Sequence, residues 1–401
     1  MLKKFIPAVI ASALCISLCA FDAAAAEVGE PVSSAYELME MEADGDYYLT
    51  CDIDLSDTDW KAVKGFSGHF DGNGYEITGL ASEDYGLFAD LKTGAEVENV
   101  KLTDVYITSS LQYAGGIVSS IKSGEKDITV KNCFVSGVVA SCRTKYGKSS
   151  NVSAAGAVIG NSRSKSAVIS DCYSNAVVAS EKTLGGIAGI NYGTVKNCGF
   201  GGQLGSSYNI YELRAEPDEE VTDDYKFSAY AGGICGEDYG KIQSCFSSCT
   251  RVDTANYYGG IAGTVQKKGS ITKCVNSSYV PYDDFLKGGL IAGYVSEDST
   301  ISNNYPRKPN ETTVSNDVGD GKTDSVTYVV SDSKFGKISS FKRLGSGRKI
   351  VGGVPILTKL ETYTNYAPLY EIKGGSLISL KEEEDDISVD YGYDENGDIL
   401  E

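Results

Sequence analysis

The sequence predicts an all-β chain wound as a parallel β-solenoid, a β-helix of about 27–30-residue coils with a short N-terminal helical cap. Three observations predict it. First, a glycine–apolar start recurs as Tyr85-Gly86-Leu87-Phe88, Gly115-Gly116-Ile117-Val118, Ala155-Gly156-Ala157-Val158, Gly185-Gly186-Ile187-Ala188, Gly232-Gly233-Ile234-Cys235, Gly259-Gly260-Ile261-Ala262 and Gly288-Gly289-Leu290-Ile291. The steps between second glycines are 30, 40, 30, 47, 27 and 29 residues, so two copies carry insertions. Second, each start is followed by another signature, Val97-Glu98-Asn99-Val100, Val130-Lys131-Asn132-Cys133, Ile169-Ser170-Asp171-Cys172, Val195-Lys196-Asn197-Cys198, Ile242-Gln243-Ser244-Cys245, Ile271-Thr272-Lys273-Cys274 and Ile301-Ser302-Asn303-Asn304. Third, 46 glycines stand against 8 prolines in a chain that is 41% hydrophobic. That is too little glycine for collagen, too little proline for a disordered linker, and enough apolar side chain for a core.

The second signature needs a bend. A β-branched residue and a cysteine three apart cannot share one face of a straight strand, because side chains alternate with period two. They share it when the chain turns a corner between them, and Asn, Asp and Ser tolerate the left-handed backbone that such a corner uses. Each unit then reads as strand, corner, strand, with apolar residues pointing inward from both. Units stacked at ~4.8 Å align like residues in ladders and build a rod on the order of 45 Å long. The glycine pairs are expected to give positive φ at a corner and close approach of neighbouring backbones. Crossover chirality favours a right-handed winding. The competing arrangement is an antiparallel sandwich, which strand spacing alone does not separate from the solenoid.

Taken from the N-terminus, residues 1–26 read as an export signal: Lys3 and Lys4, an apolar run from Phe5 to Ala20, and small residues Ala23 to Ala26. Leu14 and Leu18 precede Cys15 and Cys19 where a lipidation site wants a small residue. Residues 27–304 form the solenoid with its cap. Ser34 to Met41 is the helical cap, with Ser34 and Glu37 at capping-box spacing and Leu38 and Met41 facing the first coil. An acidic insertion carrying Glu212, Glu216, Asp218, Glu219, Glu220, Asp223 and Asp224 is read as a solvated loop, or as a binding flank. Residues 305–324, with Pro306 and Pro309, read as a loop, 325–371 as closing strands, and 372–401 as an acidic tail. Asp394-Glu395-Asn396-Gly397-Asp398 in that tail is a hairpin turn before it is a calcium loop, since it lacks the twelve-residue ligand pattern.

The repeat resembles the GLUG motif, a glycine-rich solenoid repeat of exported bacterial surface proteins that also occurs in large adhesins and beside IgA-cleaving zinc peptidases. The segment Leu49-Thr50-Cys51-Asp52-Ile53-Asp54-Leu55, then Trp60, then Phe66 to Leu80 with Asp71-Gly72-Asn73-Gly74, is similar to the one that opens such arrays. Gly353-Val354-Pro355-Ile356-Leu357 is similar to the closing one. The resemblance spans about residues 36 to 360 and implies the architecture. It implies no peptidase, because the sequence has one histidine, His69, and no His-Glu-x-x-His.

That single histidine also removes Ser-His-Asp and Cys-His chemistry not built on His69. Without its leader the chain keeps 34 basic and 54 acidic residues, a net of −20, which disfavours nucleic acid and anionic membrane as partners. Beyond the leader, no stretch reaches the ~18 apolar residues of a spanning helix. Nine cysteines follow the leader: Cys51, Cys133, Cys142, Cys172, Cys198, Cys235, Cys245, Cys249 and Cys274. Five share one repeat position and read as a buried apolar ladder, since stacked Cβ vectors run parallel and disfavour the S–S bond. Pairings of Cys142 with Cys133 or Cys172, and of Cys245 with Cys249, stay open because export permits them. Asp52, Asp54, Asp57 and Asp59 are the densest acids of the repeat region. They suit calcium or a two-carboxylate glycan chemistry, or simply solvent on the far side of inward Ile53 and Leu55. His69 is expected to point outward, with no basic or nucleophilic partner identifiable. Trp60, Tyr47-Tyr48 and Tyr257-Tyr258 are candidate sugar-stacking residues. The expectation is a monomeric, non-catalytic exported protein, secreted or non-covalently held at the cell surface, that binds glycan, matrix or a partner protein. It assigns no catalytic, cofactor or metal residue. The alternative is a β-helical enzyme acting on polysaccharide.

Overall fold

A computed structural model of the protein describes residues 29–141, 153–205, 228–251, 255–278, 280, 287–307, 316–321 and, with short gaps, 326–381. Residues 1–28, read as holding a leader, Cys142, the acidic insertion at 212–224 and residues 382–401 lie outside the described residues.

Parallel strands stack winding upon winding into four walls. Within one coil the chain runs through the first wall (Thr129–Lys131), the second (Phe134–Ser141), the third (Ala154–Gly156) and the fourth (Ile159–Ser162) before re-entering the first at Val168–Ser170. Among the described residues the third wall has six strands, from Tyr113–Gly115 to Lys287–Gly289, and the fourth has eight, from Phe88–Leu91 to Val318–Gly321. Register is maintained from rung to rung: Val97 opposes Val130, Val130 opposes Ile169, Ile169 opposes Val195, and Val195 opposes Ile242. All five are buried and belong to one continuous core.

The bend in the second signature is present at every copy. Asn99, Asn132, Asp171, Asn197, Ser244, Lys273 and Asn303 have φ between 53 and 61°. The corner turns both the preceding β-branched residue and the following cysteine inward. Cys133, Cys172, Cys198, Cys245 and Cys274 form a column with no exposed surface. All eight described cysteines are thiols, Cys245 and Cys249 included. Burial pushes Cys172, Cys198 and Cys274 well above the ordinary thiol range, so these serve as small apolar side chains.

The glycine pairs differ from expectation in one respect. None of Gly115, Gly116, Gly185, Gly186, Gly232, Gly233, Gly259 or Gly260 has positive φ. Their role is the close approach alone: a Cβ at Gly186 would stand 2.1 Å from the Phe200 ring, and one at Gly259 1.9 Å from the Ala262 carbonyl oxygen.

The N-terminal cap is a helix over Ala35–Met39. Ser34 Oγ accepts from the Glu37 N–H, and the Glu37 carboxylate takes the N–H and hydroxyl of Ser33 at 2.7 and 2.9 Å. The reciprocal arm of the capping box therefore lands one residue earlier than the spacing implied. Leu38 is fully buried against the first coil.

The C-terminal third departs from the sequence reading. Within the stretch read as a loop, Tyr305 and Pro306 continue the strand Thr300–Pro306 onto the second wall and Val318–Gly321 extends the fourth, because their backbone groups find the next rung of the ladder. At the start of the stretch read as a tail, Ser376–Ser379 pairs with Tyr370–Lys373. Between them, the Arg348–Val351 and Val354–Leu357 hairpin and a helical turn over Thr358–Thr364 do not simply cap the last coil. They run back along the outside of the second wall as a strap.

The strap covers an outward column. Phe134, Tyr173, Gly199, Phe246, Val275 and Tyr305 occupy one register position, and the five with side chains are buried by Phe341, Leu344, Ile356, Leu360, Tyr363 and Tyr366. Gly199 leaves a gap through which the Tyr173 and Phe246 rings stack at 5.9 Å. Polar ties follow the same path toward the first coils. Arg348 donates to the Ser244 carbonyl at 2.7 Å, Lys359 pairs with Asp171, the Tyr363 hydroxyl donates to the Asn132 carbonyl, and the Tyr370 hydroxyl reaches Asp104.

Candidate ligand groove

Sugar-facing or catalytic side chains on a rod have to point outward, and outward positions are set by strand alternation. On the third wall the outward column reads Tyr113, Ala154, Thr183, Tyr230, Tyr257, Lys287. On the fourth it includes Asn161, Ile190, Glu237, Thr264 and Tyr294. Side chains of the two columns meet. Tyr257 lies edge-on to Tyr294 at 5.7 Å and beside Tyr230 at 5.9 Å, and the Thr183 hydroxyl donates to Glu237 Oε1 at 2.8 Å. The corner between these walls is the glycine-pair corner, where the missing side chains let the two strands fold closely together.

The groove between the two outward columns holds a cavity of about 410 Å³, lined by Arg163, Lys182, Thr183, Tyr192, Tyr230, Glu237 and Tyr239 among others. That volume falls within the ~300–1,000 Å³ of small-molecule sites. Tyr192 and Tyr239 stack on each other at 4.4 Å and form one wall. The Tyr239 hydroxyl donates to Glu237 Oε2 at 3.1 Å, so both oxygens of Glu237 are engaged. Burial and the neighbouring Glu237 charge push the Tyr239 phenol upward, which keeps it a hydrogen-bond donor.

A second, wider cavity of about 630 Å³ lies near the first coils, between Trp60, Lys64, Asp84, Tyr85 and Tyr106. Trp60 is 8% exposed and its indole N–H is spent on the Gly86 carbonyl at 3.0 Å, so it is a packing residue rather than a platform.

The sequence-derived candidates separate accordingly. Tyr258 and Tyr47 are buried, whereas Tyr257 stands in the groove. Asp52, Asp54, Asp57 and Asp59 are exposed opposite inward Ile53 and Leu55, with Asp54 bound to the Ser56 N–H and hydroxyl and Asp52 to the Glu76 N–H. No cluster of three metal-ligating side chains occurs among the described residues. His69 points outward and has a partner after all, Glu98 Oε1 at 2.9 Å. The residues missed were Tyr192, Tyr230, Tyr239 and Tyr294. Their signal was present as repeat position: Tyr230 and Tyr257 each precede the first glycine of a pair by two, and Tyr192 and Tyr239 each sit between an inward Asn191 or Asp238 and a glycine.

No family model matches the chain, and neither does any curated protein. Solved structures do. One is a Bacteroides ovatus protein provisionally named an immunoglobulin A1 protease, 19% identical, with TM-score 0.52 over 82% of this chain and 92% of that one. A second, named IgA1 protease, is 15% identical at TM-score 0.48, covering 69% of this chain and 21% of that one. The first likeness shows a shared fold: this chain is a parallel β-solenoid. No helix among the described residues is long and apolar enough to cross a membrane.

Proposed function

We propose that the protein is an exported, non-catalytic GLUG-type repeat protein that binds extracellular glycan along the groove between its third and fourth walls. The observation that carries this reading is the cavity between Tyr192, Tyr230 and Tyr239, continued along the rod by Tyr257 and Tyr294. Half-buried tyrosines held by neighbouring rungs offer rigid rings and hydroxyls at small entropic cost, which suits repeating sugars on a repeating surface. The leader-like first 26 residues and the acid excess support an extracellular setting. The name of the Bacteroides neighbour is in keeping with such a setting but lends no activity, and this chain lacks the zinc-peptidase motif.

A glycan hydrolase needs two carboxylates. Among the described residues lining this cavity Glu237 is the one carboxylate, and both its oxygens are engaged, which favours binding over turnover. The test is a glycan and matrix-protein array probed with the purified chain, alongside turnover assays on pectin-like and host glycans. Binding that weakens at least about tenfold in Tyr230→Ala and Tyr257→Ala, with unchanged thermal unfolding, is the expected result. Turnover lost in Glu237→Gln would replace the reading with the enzymatic one.

A further inference from the structure

Resting on that reading, we infer that the groove selects an anionic sugar, one bearing a carboxylate or sulfate, and that Arg163 and Lys182 are its recognition residues. The charge of the cavity runs against that of the molecule. The chain carries a formal −19, yet among the described residues the ionised groups lining this cavity are two cations and one acid. The acid is already occupied, since Glu237 accepts from Thr183 and Tyr239. Neither Arg163 nor Lys182 has an ion-pair partner among the described residues. On the first coils, by contrast, Lys92 pairs with Asp90 of its own rung and Glu125 of the next, and Lys101 and Lys131 pair with carboxylates of the rung before. Two unpaired cations beside tyrosine rings provide what an acidic saccharide needs. A guanidinium offers paired N–H donors to carboxylate or sulfate, an ammonium adds a point charge, and the phenols take hydroxyls and ring faces. The negative field of the remaining surface would repel a polyanion approaching anywhere else, so charge also fixes where such a ligand docks.

The experiment titrates the full chain with matched ligands at low and high salt: oligogalacturonate against its methyl ester, and a sulfated galactan oligosaccharide against its desulfated form. The anionic member of at least one pair should bind about tenfold tighter at low salt, as two partly exposed ion pairs supply. The preference should shrink as salt rises. Arg163→Ala/Lys182→Ala should bring both members of that pair to one affinity, while Tyr257→Ala should weaken both together. Equal affinities in the unaltered protein, or a preference that survives the double variant, would overturn the charge reading and leave glycan binding standing. Binding of no saccharide would overturn both.

Discussion

Asp238 faces inward from the fourth wall, with Asn191 on the rung before it and Val265 on the rung after. Asn191 Nδ2 donates to it at 2.7 Å and the Gly240 N–H at 3.2 Å, yet its second oxygen has no partner. Burial raises its pKa from 3.8 to about 7. Between those two values the folded chain holds a proton that the unfolded chain releases. The group's contribution to stability is therefore best below the unfolded value and declines as pH rises toward 7, by up to about 4 kcal/mol. Asp238→Asn keeps the acceptor and removes the titration. Thermal unfolding followed at pH 5 and pH 8 should show the variant gaining stability at pH 8 and little at pH 5. Equal shifts at both pH values would refute a titrating Asp238. The same scale shows what the sequence made legible. Side-chain period and the Asn–Cys spacing located the inward thiols and the left-handed corners, even at Lys273, whose residue type argues against such a conformation. Gly-Gly has two physical uses that composition does not separate, and the structure keeps only the close approach.

At the scale of elements, the walls were readable because each rung repeats the one before it. The groove was half readable: Tyr257 stood out as part of a doublet, but alternation then turns Tyr258 inward and brings Tyr230 and Tyr294 beside Tyr257. The strap was not readable. Its polar partners on the walls are 104 to 266 residues distant, as in Arg348 with Ser244 and Tyr370 with Asp104, and no local pattern encodes a contact of that range. An aromatic column beside the cysteines, Phe134, Tyr173 and Phe246, was its one trace, since outward rings on a solvated wall need a cover. Arg348 ties the strap to the wall by a donor to Ser244, and gives another to Pro355 within its own hairpin. Arg348→Ala should cost about 1.5–3 kcal/mol, as loss of hydrogen bonds from a charged donor does. Limited proteolysis should then cut first within the strap while the stacked walls remain protected. Cleavage that begins in the walls would show that the strap is not a separate unit.

For the molecule as a whole, stability is distributed along a rod. Each winding touches its neighbours, so the stack can grow from any point. The strap breaks that locality by joining the coil of Tyr305 to the coil of Asp104. An ordinary array of this kind tolerates gaining or losing a unit. Here the returning segment acts as a tape measure with fixed marks, Phe341 on Tyr305, Lys359 on Asp171 and Tyr363 on Asn132. Excising the 27 residues Gly233 to Gly259, which joins like position to like, would shorten the distance between those marks by one step of ~4.8 Å. The β-sheet circular dichroism should survive, while the C-terminal segment becomes sensitive to protease because its marks no longer coincide with the rungs. The number of windings is thus specified by a part of the chain that belongs to none of them.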